Sequence, residues 1–118
     1  MDSIATIDKL KLMVQNFCEE RDWNQFHGPK DLAIGLSTEA NELLEIFRFK
    51  SQKDIENIMN GEKRTHVEEE LADVFYFVLR FAQMNGIDLE NALIDKLGKS
   101  GAKYPVDKFK GSNKKYNE

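Results

Sequence analysis

No proline interrupts the chain between Pro29 and Pro105, and the apolar residues of that span recur at helical rather than alternating spacing. A proline-free run without β-branched alternation predicts helices, and the turn signals divide it. Ile7, Leu10, Val14 and Phe17 place a first helix over Ile4 to about Arg21. The turn formers and aromatics of DWNQFHGPK read as a loop over Asp22–Lys30. Asp31 is a candidate N-cap or first-turn residue for a second helix reaching about Phe49. Ser51 is a candidate N-cap for a short helix to Asn60, closed by Gly61. A longer helix spans about Lys63–Met84 and stops at Asn85-Gly86, and Asp88 caps a last one from Leu89 to about Lys99. The remainder, GAKYPVDKFKGSNKKYNE, reads as irregular. The expected fold is therefore all-α: an antiparallel four-helix-type bundle in one domain, 1–118, with an irregular basic tail from about residue 100.

The length of 118 residues suits one domain, and the balance of 41% apolar and 32% charged residues is globular rather than disordered. No apolar run approaches the roughly eighteen residues of a membrane span. The start MDSIATIDKL lacks a basic segment followed by an apolar one, so no signal peptide is expected. Cys18 is the only cysteine, reads as a small core residue and fits a reducing, cytoplasmic setting. The net charge is −4 but unevenly spread, because seven lysines from Lys96 onward face only Asp107 and Glu118. The acidic body argues against wrapping a nucleic acid, and the basic tail suits a small anion or the acidic body itself.

Carboxylates are the anomaly in this pattern. On a helical wheel, Leu32, Gly35, Leu36, Leu43 and Ile46 form one face of the second helix, and Glu39 and Glu42 lie within it. Glu45 lies beside Glu42, turned from the apolar centre. On the long helix Val67, Val74, Phe77 and Phe81 define a face that also carries Glu70 and Asp73. Leu71, Phe75, Val78 and Ala82 widen the surface to be buried. One acidic i,i+3 pair alone is an ordinary solvated feature; two such pairs on the apolar stripes of two helices are not. Burying unpaired carboxylates is costly, converging ones raise each other's pKa, and neither stripe carries a lysine or arginine. A divalent cation compensates directly, and an all-oxygen donor set suits Mg²⁺, with Mn²⁺ as a substitute. A di-iron bundle uses Glu-x-x-His pairs, which are missing, although His66 lies one turn before Glu70. Such a cluster points to phosphoryl chemistry, and no glycine-rich phosphate loop, nucleophile elbow or zinc-protease motif competes with it.

The segments ERDWNQFHGPKDLAIGLSTEANELLEIFRFKS, EEELADVFYFVLRFA and KYPVDKFKGSNKKY, in that order, resemble the MazG-like all-α nucleotide pyrophosphohydrolases. The nearest group is the small dCTP pyrophosphatase-like branch, and the likeness runs from about Glu20 to Tyr116. E-x-x-E alone is weak; its combination with E-x-x-D, the W-x-x-F-H loop and the K-Y-P…K-G-S-x-K-Y tail is specific. The resemblance implies Mg²⁺ ligands at Glu39, Glu42, Glu70 and Asp73, with Glu45 holding a second metal or orienting the attacking water. It implies water attack at the α-phosphate of a (deoxy)nucleoside triphosphate such as dCTP, releasing monophosphate and pyrophosphate. Trp23, Phe26 and His27 become a loop closing over a base. Phe49 stands at a base-contacting aromatic position, and Phe77 where a relative carries tyrosine, although Phe77 alone reads first as core. Lys103, Tyr104, Lys110, Lys114 and Tyr116 match family tail positions that can reach the triphosphate, from the same or a neighbouring subunit; the alternative is a solvated, partly disordered tail. Lys30 meets phosphate or is solvated. Relatives assemble as dimers or dimers of dimers, which suits the wide apolar surface of the long helix.

Two other readings compete: a non-catalytic helical adaptor that kept the fold, and a carboxylate-bridged iron protein. A binding module gains nothing from four buried carboxylates, which disfavours the first. Mg²⁺ dependence without a visible absorption band would separate the enzyme from the second.

Overall fold

The computed structural model describes all residues, 1–118, and contains helices and turns but no strand. The helices are α1 (Ile7–Glu19), α2 (Pro29–Phe47), α3 (Gln52–Asn60), α4 (Arg64–Met84), α5 (Leu89–Lys103) and α6 (Val106–Phe109), with a 3-10 turn at Asn24–Phe26. The all-α expectation holds. None of the helices is long and apolar enough to cross a membrane.

Local chemistry explains the helix ends. Thr6, not Ile4, opens α1, because its side chain accepts from the Lys9 N–H at 3.1 Å. α2 begins at Pro29 rather than Asp31: Gly28 is its N-cap, and proline tolerates the first turn, where its missing N–H is not needed. Asp31 still lies in that first turn, where a carboxylate favours the helix dipole. The same helix ends at Phe47, since Arg48 is extended and Phe49 takes a left-handed φ of 61°. Ser51 and Asp54 form a reciprocal capping box for α3. Asp88 caps α5 by accepting from the Asn91 N–H at 2.9 Å. Gly86, just after α4, takes a left-handed φ of 63° that glycine adopts without strain.

The tail departs from expectation. α5 does not stop at Lys99 but continues through Gly101 to Lys103, and α6 follows Pro105. Tyr104 packs edge-on against Phe109 (4.9 Å between ring centroids) and Tyr116 (5.8 Å), so aromatic contacts order what turn-former content predicted to be irregular.

The chain forms two compact units, Met1–Gly86 and Ile87–Glu118. In the first, α4 is the common partner: α2 packs on it most extensively, α1 next and α3 least. Cys18, Leu32, Ile58, Val67, Leu79 and Ala82 are buried, and Cys18 Sγ lies 3.0 Å from the Tyr76 hydroxyl. Close approach of α2 to α4 depends on Gly35, where an added Cβ would sit 2.4 Å from Phe77 Cε1. The expected burial of both flanks of α4 is only half met. Val67, Leu79 and Ala82 are buried, whereas Leu71 (56%) and Phe75 (42%) stay exposed along a groove they share with Ala72, Val74 and Val78. In the second unit Leu93, Ile94 and Leu97 of α5 are likewise exposed.

Candidate active site

Helical geometry puts residues three apart on one face, so Glu39 and Glu42 of α2 share a face, as do Glu70 and Asp73 of α4. Packing of α2 on α4 brings those faces together. Carboxylate oxygens of Glu39, Glu70 and Asp73 lie within 4.8 Å of one another. Glu42 is more exposed than Glu39, yet its charge acts on both Glu39 and Glu70.

The electrostatics are uncompensated. Glu39 Oε2 and Glu70 Oε2 are buried and have no hydrogen-bond partner. His66 Nδ1 lies 3.8 Å from Glu70 Oε1. Burial, then Glu42 and Asp73, hold the Glu39 carboxyl above its ordinary range, with Glu70 adding to the effect. Burial and the same two neighbours raise Glu70, against a smaller opposing effect of His66. Such a set can bind a hard cation: the orphaned oxygens are acceptors without donors, and every donor atom is a carboxylate oxygen.

Glu45 stands apart. It is exposed and accepts from Arg48 Nη1 at 2.9 Å, so its carboxylate is already engaged by a cation. Glu42 and Glu45 line a cleft of about 350 Å³ with Ile46, Lys50, Ile58, Lys63 and His66. Lys50 and Lys63 escaped the sequence reading, since each sits just outside a helix and only the fold puts them beside the acidic residues.

The aromatic loop is held rather than free. Trp23 packs edge-on against Phe17 (5.7 Å) and His27 (6.2 Å), whereas Phe26 is largely exposed. Arg80 of α4 anchors the loop. Its Nε donates to His27 Nδ1 at 2.9 Å, Nη1 to Gln83 Oε1 at 2.6 Å, and Nη2 to Asn24 Oδ1. Burial and the Arg80 charge lower the His27 pKa, while Asp31 opposes them. Arg80 was missed because an arginine between Leu79 and Phe81 resembles a surface charge, and two of its three partners lie more than fifty positions earlier.

The remaining expected residues are spread out. Phe49 is 92% exposed with the Arg48 guanidinium 4.7 Å from its ring centroid. Phe77 lies over Gly35 and edge-on to Tyr76, within the α2–α4 contact. Lys30 is exposed in the first turn of α2. In the second unit, Lys103 Nζ sits 4.8 Å from the Tyr116 ring centroid beside Tyr104, and Lys110 and Lys114 are exposed.

Comparison with known proteins matches this pattern to one family. The MazG-like family model fits residues 34–118. dCTP pyrophosphatase 1 of Rattus norvegicus is 33% identical over 114 residues, covering 96% of this chain and 67% of that protein. The Homo sapiens protein of the same name is 33% identical over 116 residues, with the same coverage. A crystal structure of a pyrophosphatase from Archaeoglobus fulgidus superposes with a TM-score of 0.78 at 33% identity, over 84% of this chain and 92% of that one. The chain belongs to the MazG-like family.

Proposed function

We propose that this chain is a Mg²⁺-dependent hydrolase that converts (deoxy)nucleoside triphosphates such as dCTP to the monophosphate and pyrophosphate, in nucleotide-pool sanitation. Its relatives are a dCTP pyrophosphatase and a pyrophosphatase, and the chain is a nucleotide pyrophosphohydrolase. The observation that carries the finer reading is the convergence of Glu39, Glu70 and Asp73 with two buried, unpartnered oxygens. One water adds across the bond between the α-phosphorus and the bridging oxygen to the β-phosphorus. Its oxygen becomes part of the monophosphate, and the bridging oxygen leaves with pyrophosphate.

Glu39, Glu42, Glu70 and Asp73 would hold the cation, and Mn²⁺ suits the same oxygens. When bound, Mg²⁺ neutralises charge on the triphosphate and lowers the pKa of water to make it a nucleophile. Glu45, once released from Arg48, orients that water or contributes to a second cation. Trp23, Phe26 and His27 bind the base, with Phe49 and Phe77 as further aromatic surfaces. Lys30, Lys103, Lys110 and Lys114 offer point charges to phosphate, with Tyr104 and Tyr116 as hydroxyl partners. The exposed apolar groove at Leu71 and Phe75 supports a homo-oligomer, a dimer or a dimer of dimers. A reducing cytoplasm fits the single buried thiol.

The test is pyrophosphate release from a panel of dNTPs and NTPs, with Mg²⁺ and with EDTA, identifying the nucleotide product. Monophosphate plus pyrophosphate only with metal supports the reading. Diphosphate plus inorganic phosphate places the cut at the wrong bond. No turnover by folded, metal-loaded protein favours the adaptor.

A further inference from the structure

Arg80 is the one charged side chain that is fully buried, at 0% exposure. It forms no ion pair; its acceptors are the neutral side chains of His27, Gln83 and Asn24. A buried cation without a counter-ion is expensive, so only a well-matched set of acceptors retains it.

The bond to His27 has a chemical consequence. The Nε–H of arginine can only donate, so His27 Nδ1, at 2.9 Å, must present a lone pair. A neutral imidazole then carries its proton on Nε2, which has no partner within the chain. Asn24 opens the 3-10 turn and Gln83 lies one turn beyond Arg80 on α4, so one guanidinium fastens the loop and its histidine to the same helix.

We propose that Arg80 is a positioning residue for nucleotide recognition: it holds the Trp23–His27 loop on α4 and fixes His27 as the neutral tautomer that offers a base the Nε2–H donor. The proposal rests on the nucleotide reading above and deepens it. The ligand atom it selects is an acceptor, a ring carbonyl oxygen or an unprotonated ring nitrogen, and not an exocyclic amino group. Three groups face the ring: Trp23 edge-on from the loop, Asp31 from α2 and Arg80 from α4. Burial and the Arg80 charge disfavour a second proton, against Asp31, which reinforces the geometric lock.

Proton–nitrogen correlation spectra of the imidazoles test this without substrate. The chain has two histidines, and His27→Gln assigns the signals. The wild type should show unprotonated Nδ1 and protonated Nε2 at about pH 8, and should take its second proton at lower pH than a free histidine. Protonated Nδ1 at about pH 8, or titration like that of a free histidine, overturns the proposal. Arg80→Gln, checked for folding by circular dichroism, should let His27 take its second proton at a higher pH than in the wild type, while burial still disfavours it. It should also raise KM about tenfold, with kcat changed less than about twofold, the scale of one lost hydrogen bond. Unchanged KM and base ranking in that folded variant overturn the positioning role.

Should Arg80→Gln not fold, a second pair decides. His27→Gln keeps an amide donor where Nε2 stood, and His27→Glu offers only acceptors there. Glutamine should retain the base ranking and glutamate lose it; equal KM values for both overturn the donor assignment. Failure of every nucleotide to turn over would refute the proposed function and leave the tautomer result standing, so the two failures are distinguishable.

Discussion

Replacing Gly35 by alanine tests how the fold sets the spacing of the carboxylates. Gly35 lies one turn before Glu39 on α2, and Phe77 one turn after Asp73 on α4, so their contact lies one turn from the cluster. The new methyl would meet Phe77 Cε1 at 2.4 Å and Cζ at 2.6 Å, about 1 Å inside normal carbon contact. A phenyl ring has no soft terminal atom to bend away, so either the ring leaves its rotamer or the helices separate. Helix propensity alone favours alanine by about 1 kcal/mol. Overpacking costs roughly 1–3 kcal/mol, and an overlap this deep belongs at the upper end. The net expectation is a loss of roughly 1–2 kcal/mol, which lowers Tm by roughly 4–10 °C in a domain of this size. Thermal melts in EDTA read that loss, and calorimetric titration with Mg²⁺ reads the site, where affinity should fall as the two pairs are forced apart. Adding Phe77→Leu should recover much of the stability. A Gly35→Ala protein that melts at or above the wild-type temperature and binds Mg²⁺ equally well would refute the reasoning, because propensity would then outweigh contact.

Other perturbations address the site and the scaffold. Glu70→Gln should nearly abolish turnover while leaving the helical content intact, and near-normal turnover by the folded variant would remove Glu70 from the site. In the absence of metal the same change removes a partly buried charge, so its Tm in EDTA should equal or exceed that of the wild type; a clear decrease would count against the repulsion described. Glu39 and Glu70 bind protons more tightly folded than unfolded, so their contribution to stability is complete below the ordinary glutamate range and is lost as pH rises through their raised values. In EDTA the wild-type urea midpoint, taken relative to Glu70→Gln so that the opposite effect of His27 cancels, should therefore fall from mildly acidic to neutral pH. Saturating Mg²⁺ should remove the fall, and a rise in EDTA would contradict the sign. Ser51→Ala deletes one side of the α3 capping box and should cost about 1 kcal/mol in denaturant unfolding; an unchanged midpoint would mean that α3 contributes little to the cooperative unit.

The carboxylate pairs were legible because a helical wheel needs only one helix at a time, and Glu39 and Glu70 violate the wheel wherever the partner helix lies. Helix ends were legible where a side chain caps, as at Ser51 and Asp88, and less so at Pro29, where Gly28 caps by backbone alone. The continuation of α5 past Lys99 was hidden by Gly98 and Gly101, whose low propensity does not end a helix whose other residues support it. Arg80 was illegible for a different reason: two of its acceptors, His27 and Asn24, lie in a distant segment, and a single arginine looks the same whether it meets water or an acceptor. Leu71 and Phe75 were read as buried by periodicity, which registers an apolar face but not what lies against it.

The thiol of Cys18 has a use that follows from its position alone. It is the sole cysteine, fully buried where α1 meets α4 and paired with the Tyr76 hydroxyl. A thiol reagent can reach it only when α1 lifts from α4 or the whole unit opens, so its modification rate is an intrinsic clock of that opening. Slowing of the clock by Mg²⁺ in proportion to global stabilisation would mean that α1 and the carboxylate helices open as one cooperative unit, while an unaltered rate would mean that α1 frays on its own.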